Sequence, residues 1–76
     1  MEELITYIIS KIVADPTTAK IEKEDVNGEI YFHVYVPEEE RGIIIGKEGR
    51  NIKAIRNLIS ILAKKEGKRV YIKIRD

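Results

Sequence analysis

Two stretches of alternating hydrophobicity, 30–36 and 70–74, flank roughly thirty residues of helical pattern, and that spacing leaves few folds open. In the first, Ile30, Phe32, Val34 and Val36 alternate with Tyr31, His33 and Tyr35. In the second, Val70, Ile72 and Ile74 alternate with Tyr71, Lys73 and Arg75. A period of two with one apolar set marks a strand with one buried face. A connection this long, carrying helices, makes the two strands parallel and joins them right-handedly. Upstream, Asn27-Gly28 separates the first strand from a mostly charged stretch at 19–25. That residue pair favours a two-residue hairpin turn with positive φ at both positions, so these neighbours are antiparallel. The charged stretch reads as an edge strand.

The remaining segments read as helices. Leu4, Ile5, Ile8, Ile9, Ile12 and Val13 recur at three- and four-residue intervals, predicting a helix over 2–14 that Asp15-Pro16 ends. Glu38-Glu39-Glu40 puts anions in the first turn of a short helix that reaches Ile45 and breaks at Gly46. A longer helix starts near Arg50 and carries Ile52, Ile55, Leu58, Ile59 and Leu62 on one face. It stops at Gly67 after Lys64 and Lys65. The expected architecture is α+β in the order α-β-β-α-α-β, a single domain over 1–76. Three helices would cover one face of a three-stranded mixed sheet. A chain of 76 residues without cysteine has no disulfide to staple it, so its fifteen isoleucines must supply a dense core.

Several functions are disfavoured. His33 is the single histidine and no cysteine is present, so no metal site and no cofactor are expected. Ser10 and Ser60 fall within helical patterns, no nucleophile-base pair can be assembled, and an enzyme is not expected. The start Met1-Glu2-Glu3 has no basic region and no long apolar run follows, so a cytoplasmic protein is the expectation. The net charge of +1 conceals a division. Residues 1–40 hold ten acidic and three basic side chains (−7), whereas 41–76 hold eleven basic and three acidic (+8). Such asymmetry suits a nucleic acid or another acidic partner.

The basic half contains the feature with most chemical content. Gly46 and Gly49 bracket Lys47-Glu48 between two helical segments. Gly46 can close the first helix in a left-handed conformation, and Gly49, lacking a Cβ, lets a ligand backbone approach. Free amides at the start of the second helix point outward with the positive dipole end behind them. Lys47, Arg50 and Lys53 surround that point with cations, an arrangement suited to a phosphodiester backbone. Gly42 to Lys47 comes close to a nucleotide-binding P-loop. Only three residues separate its glycines, however, Glu48 stands where Ser or Thr is needed, and no strand leads in.

The run Ile44-Ile45-Gly46-Lys47-Glu48-Gly49-Arg50-Asn51-Ile52-Lys53-Ala54-Ile55 resembles the core of the KH domain: two aliphatics, Gly-x-x-Gly, then aliphatics three and six residues on. The element order is that of the type II KH fold, and the resemblance covers the whole chain. It implies a turn that clamps about four nucleotides of single-stranded nucleic acid by the backbone, here Gly46, Lys47, Glu48 and Gly49. It implies an aliphatic groove for the bases lined by Ile45 and Ile52, with Ile44 and Ile55 supporting it from the core. Arg50 and Lys53 would meet phosphates, while Arg41 and Arg56 lie towards the flanks. The implied function is RNA binding, as a chaperone or post-transcriptional regulator. The implied partners are single-stranded RNA, a second copy of the chain and a larger KH-containing protein. A protein-interaction module acting chiefly through such pairing is the alternative. Glu48 puts a negative charge inside the clamp, and the family's variable loop is reduced to Asn27-Gly28, which implies weak sequence selectivity. Tyr31, His33, Tyr35 and Tyr71, with Lys73 and Arg75, share the other sheet face. Alternating tyrosines fit half-exposed strands, and the same face could also stack bases or meet a protein.

Overall fold

The computed structural model describes residues 1–75. It contains α1 (Glu2–Ile12), β1 (Lys20–Val26), β2 (Glu29–Tyr35), α2 (Glu38–Ile45), α3 (Arg50–Lys65) and β3 (Arg69–Arg75), the α-β-β-α-α-β order of a type II KH fold. The sheet order is β1-β2-β3, with β1 antiparallel and β3 parallel to the central β2. Asn27 and Gly28 turn the hairpin at φ 54° and 85°, as the residue pair requires. The helices cover one sheet face. Ile5 and Ile9 of α1, Ile44 of α2, and Ile55 and Ile59 of α3 close on Phe32 and Val34 of β2 and Ile72 of β3. On the other face the register sets Tyr31 opposite both Glu24 and Tyr71, and His33 opposite Glu22 and Lys73.

Helix α1 stops earlier than Asp15-Pro16 predicts. Its last residue is Ile12, and Val13 turns extended at φ −75°, ψ 151° while its side chain enters the core. Asp15 instead caps a separate 3-10 turn, Pro16–Thr18, its carboxylate accepting from the Thr17 amide at 3.1 Å. A short acidic side chain that bonds its own downstream backbone favours such a turn over another helical turn.

The three glutamates that open α2 do not share one role. Glu38 and Glu39 are exposed, as dipole-complementing anions should be. Glu40 is only 9% exposed, and its Oε2 accepts the Ala14 amide at 2.9 Å. It thereby ties the exit of α1 to the first turn of α2. Replacing Glu40 by Ala would strand a part-buried N–H and should cost about 1–3 kcal/mol in urea unfolding. Glu39→Ala in the same assay should cost no more than about 0.5 kcal/mol.

Candidate nucleic-acid interface

The glycine turn forms where α2 and α3 meet. Gly46 ends α2 at φ 78°, ψ 173°, a region essentially restricted to glycine, with its amide bonded to Gly42 O at 2.9 Å. This is not the left-handed helical closure expected of Gly46. That conformation falls on the next two corners, Glu48 (φ 57°, ψ 24°) and Gly49 (φ 73°, ψ 17°). Gly49 is the N-cap of α3 and has no side chain to accept from the first amides of the helix. The Arg50 amide is taken by Lys47 O, so the expectation of wholly free amides holds only in that none has a side-chain cap at the positive end of this sixteen-residue helix.

Asn51 holds this geometry, and the sequence reading gave it no role. Its Nδ2 donates to Ile43 O at 2.9 Å, fastening the first turn of α3 to the last turn of α2. The side chain packs directly beneath Gly46: a Cβ added there would lie 2.7 Å from Asn51 Cγ and 2.9 Å from its Cβ. At Gly49 the nearest atom would be Ile52 Cγ2 at 3.9 Å, an ordinary contact. The two glycines thus differ in what requires them: space and φ at Gly46, φ alone at Gly49. The one sequence signal for Asn51 was a short amide side chain just inside a helix that begins without a capping residue.

The predicted site residues divide into two groups. Lys47, Glu48, Arg50 and Lys53 are exposed around the turn. Glu48 Oε2 lies 3.7 Å from Arg50 Nη2, an exposed pair of little energetic weight that leaves both groups free to move. Ile45 is 38% exposed and can meet an apolar ligand surface. Ile52, expected to line the groove beside it, is only 6% exposed. It belongs to the core with Ile44 and Ile55. The three-residue spacing that makes Ile52 the partner of Ile55 turns it inward.

A groove runs between α3, from Arg56 onward, and the outer side of β3. Two adjoining clefts of about 320 and 410 Å³ share Ser60, Val70 and Tyr71 in their walls. Lys53, Arg56, Ser60 and Lys64, at intervals of three and four residues, fall on one side of α3, and the last three line these clefts. The opposing wall is an edge strand. Arg75 O bonds the Val36 amide beside β2, whereas Ile72 O points the other way and accepts from Arg56 Nη2 at 3.1 Å. By the same alternation, the main-chain groups of Val70 and Ile74 face outward, able to pair with the polar edge of a base. Sequence spacing placed Arg56 towards a flank. Its reach to Ile72 O, sixteen residues on, puts it over the groove instead. Arg41 is half-buried in the middle of α2 and lines neither cleft.

Beyond β3, the open sheet face carries the aromatic row. Tyr31 stacks on Tyr71 with centroids 5.0 Å apart, and His33 lies 6.4 Å from both Tyr31 and Tyr35. His33 bridges the strands: Nε2 is 3.0 Å from Glu24 Oε1, and Nδ1 accepts from Arg75 Nε at 3.3 Å. The Tyr71 hydroxyl donates to Glu29 Oε2 at 3.1 Å. That hydrogen bond, with the nearby carboxylate charge, raises the Tyr71 pKa above the ordinary tyrosine value, so the hydroxyl remains a donor. Among the described residues no cluster of acidic, histidine or cysteine side chains could hold a metal ion, and no helix is long and apolar enough to cross a membrane.

An α-β-β-α-α-β domain with a Gly-x-x-Gly turn between its second and third helices is a KH domain. The family model for the KhpA/KhpB KH domain matches residues 2–74, and the chain belongs to that family. The chain is similar to the RNA-binding protein KhpA of Chlamydia pneumoniae, 37% identical over 76 residues that cover all of this chain and 97% of that protein. The protein of the same description from Listeria monocytogenes is 35% identical over 74 residues, 97% of each chain. That from Bacillus subtilis is 30% identical over 76 residues, all of this chain and 94% of the other. The crystal structure of Aquifex aeolicus Era is similar in fold, with a TM-score of 0.54 at 24% identity, over 96% of this chain and 28% of that one.

The two glycines can be told apart by substitution. Gly46→Ala should lower stability by at least about 2 kcal/mol, because it meets both a glycine-only conformation and the Asn51 side chain. Gly49→Asn, which tolerates left-handed φ and has room, should cost no more than about 1 kcal/mol. Urea midpoints of the two variants at equal m-value would check the contrast.

Proposed function

We propose that this chain binds single-stranded RNA by capturing its sugar–phosphate backbone at the Gly46–Gly49 turn, as a chaperone or post-transcriptional regulator. The observation that carries the reading is the uncapped start of α3 behind a glycine-formed turn, ringed by the exposed cations Lys47, Arg50 and Lys53. A phosphate there meets backbone donors and the helix dipole together. The aliphatic and edge-strand walls beyond the turn accept unstacked bases, which a duplex keeps inside its own grooves. The relatives described as RNA-binding proteins support the same reading.

The test changes the charge of the turn and spares its glycines. Lys47→Asp with Glu48→Asp takes the local charge from zero to −2 at two exposed positions. Single-stranded RNA binding should collapse, measured by fluorescence anisotropy, while the thermal midpoint stays nearly constant. Wild-type affinity in the folded double variant would make the turn a structural corner only. Lys53→Ala should weaken all sequences alike and reduce the salt slope by about one charge or less. A blunt duplex of equal length should bind more weakly than the single strand.

A second reading, pairing with another copy or with a larger KH-containing protein, is favoured by a different observation. Leu58 and Ile61 on the side of α3 turned away from the groove are 43% and 59% exposed. Two large apolar side chains three residues apart make a stripe that pairing would cover. Sedimentation of wild type at high micromolar concentration should give a dimer, and Ile61→Asp a monomer that still binds RNA. A wild-type monomer with and without RNA would remove this reading.

A further inference from the structure

Tyr71 is the one aromatic residue that stands on the open sheet face and also borders the clefts at the edge of β3. It stands on the edge strand β3, is 40% exposed, and lines both clefts beside α3. Its ring and that of Tyr31 have centroids 5.0 Å apart and planes 22° apart. Nearly parallel rings that close must overlap face to face, because side by side in one plane they would collide. Tyr31 lies on β2, so the other face of the Tyr71 ring is turned towards the free edge of the sheet. The hydroxyl is tethered to Glu29 at 3.1 Å. A ring backed on one face and anchored at its tip is already ordered, so stacking a further flat group on it costs little side-chain entropy.

The surroundings define that flat group. Lys64, Lys68 and Arg69 line the same cleft and Lys73 the adjoining one, and all four are exposed. The C-terminal end of α3 contributes only about −0.5 of an elementary charge, so the cations dominate the local field. Ser60, Ala63 and Val70 line the same cleft on the helix-covered side of β3. Glu66 is exposed at the end of α3, while Glu29 and Glu24 are engaged within the sheet. Glu29 Oε2 is 3.1 Å from the Tyr71 hydroxyl and 3.8 Å from Arg69, and Glu24 is 3.0 Å from His33. An ordered ring with cations around it accommodates a base and its phosphates. Ser60 and Lys64 lie about 15–20 Å along α3 from the glycine turn, so a phosphate held at the turn does not itself reach them.

We infer that Tyr71, flanked by Lys64, Lys68 and Arg69, is a base-stacking subsite for a nucleotide of the same single strand, beyond those held at the glycine turn. The inference rests on the RNA-binding reading and extends its footprint to the far end of the groove. Sequence tolerance follows, because every base has a π-face.

The test compares strand lengths and Tyr71 variants by fluorescence anisotropy, with four-nucleotide and twelve-nucleotide RNA. Tyr71→Leu keeps bulk but removes the π-face, and Tyr71→Phe removes only the bond to Glu29. Tyr71→Leu should bind the long strand about 5- to 100-fold more weakly than wild type and the short strand equally well. Tyr71→Phe, which keeps the π-face, should lose much less than Tyr71→Leu, and an unchanged thermal midpoint of Tyr71→Leu excludes loss of fold as the cause. Abasic nucleotides in the outer part of the long strand should weaken wild type by a similar factor and weaken Tyr71→Leu no further. Wild-type binding of the long strand by folded Tyr71→Leu overturns the subsite while leaving capture at the turn intact. Binding of neither strand by wild type overturns the RNA reading and the subsite together. A Tyr71→Leu defect confined to self-association, with RNA affinity unchanged, overturns it in favour of a protein contact.

Discussion

The angle between α2 and α3 governs everything the site can do, and it is held by the meeting of Gly46 and Asn51. Gly46 adopts a backbone conformation that side chains exclude, and the space its missing Cβ leaves is filled by Asn51. The amide of Asn51 then bonds Ile43 O across the turn. That one contact fixes where α3 begins, hence where its first amides point and on which side its cations fall. The strained corner at Glu48 belongs to the same arrangement, since a left-handed non-glycine residue persists only where its surroundings over-determine it.

The apolar and electrostatic halves of the fold divide along α3. One stripe, Ile52, Ile55, Ile59 and Ala63, is buried against the sheet. The adjacent stripe, Lys53, Arg56 and Lys64, runs beside the free edge of β3. A parallel strand at the sheet edge normally invites another chain to pair with it. Here Arg56 occupies the Ile72 carbonyl, and the flanking cations favour an anionic ligand over a neighbouring strand. The side chains that protect the edge are thus the ones the proposed RNA site would use.

Much of this was legible in the chain. The alternation of Ile30, Phe32, Val34 and Val36, the Asn27-Gly28 pair and the long crossover to Val70 led directly to a mixed three-stranded sheet. Those signals are local: each depends on backbone chirality or on a period of two or 3.6. The break at Gly46 and the exposed cations after it were legible for the same reason. The burial of Ile52 was not legible, because an aliphatic at helical spacing can equally stand at a surface or in the core, and only packing against the sheet distinguishes the two.

The sequence by itself determined the elements, their order, the parallel crossover and the presence of a cation-ringed glycine turn, because neighbouring residues encode these through sterics and periodicity. Only the tertiary structure decided which polar groups meet. Glu40 reaches Ala14 across 26 residues, Arg56 reaches Ile72 across 16, and Tyr71 reaches Glu29 across 42. Hydrogen bonds between such distant positions arise when core packing brings two elements together, and no local pattern announces them. The groove beside β3 is of that kind. Its walls come from a helix and a strand that acquire a common side only once the isoleucine core has closed.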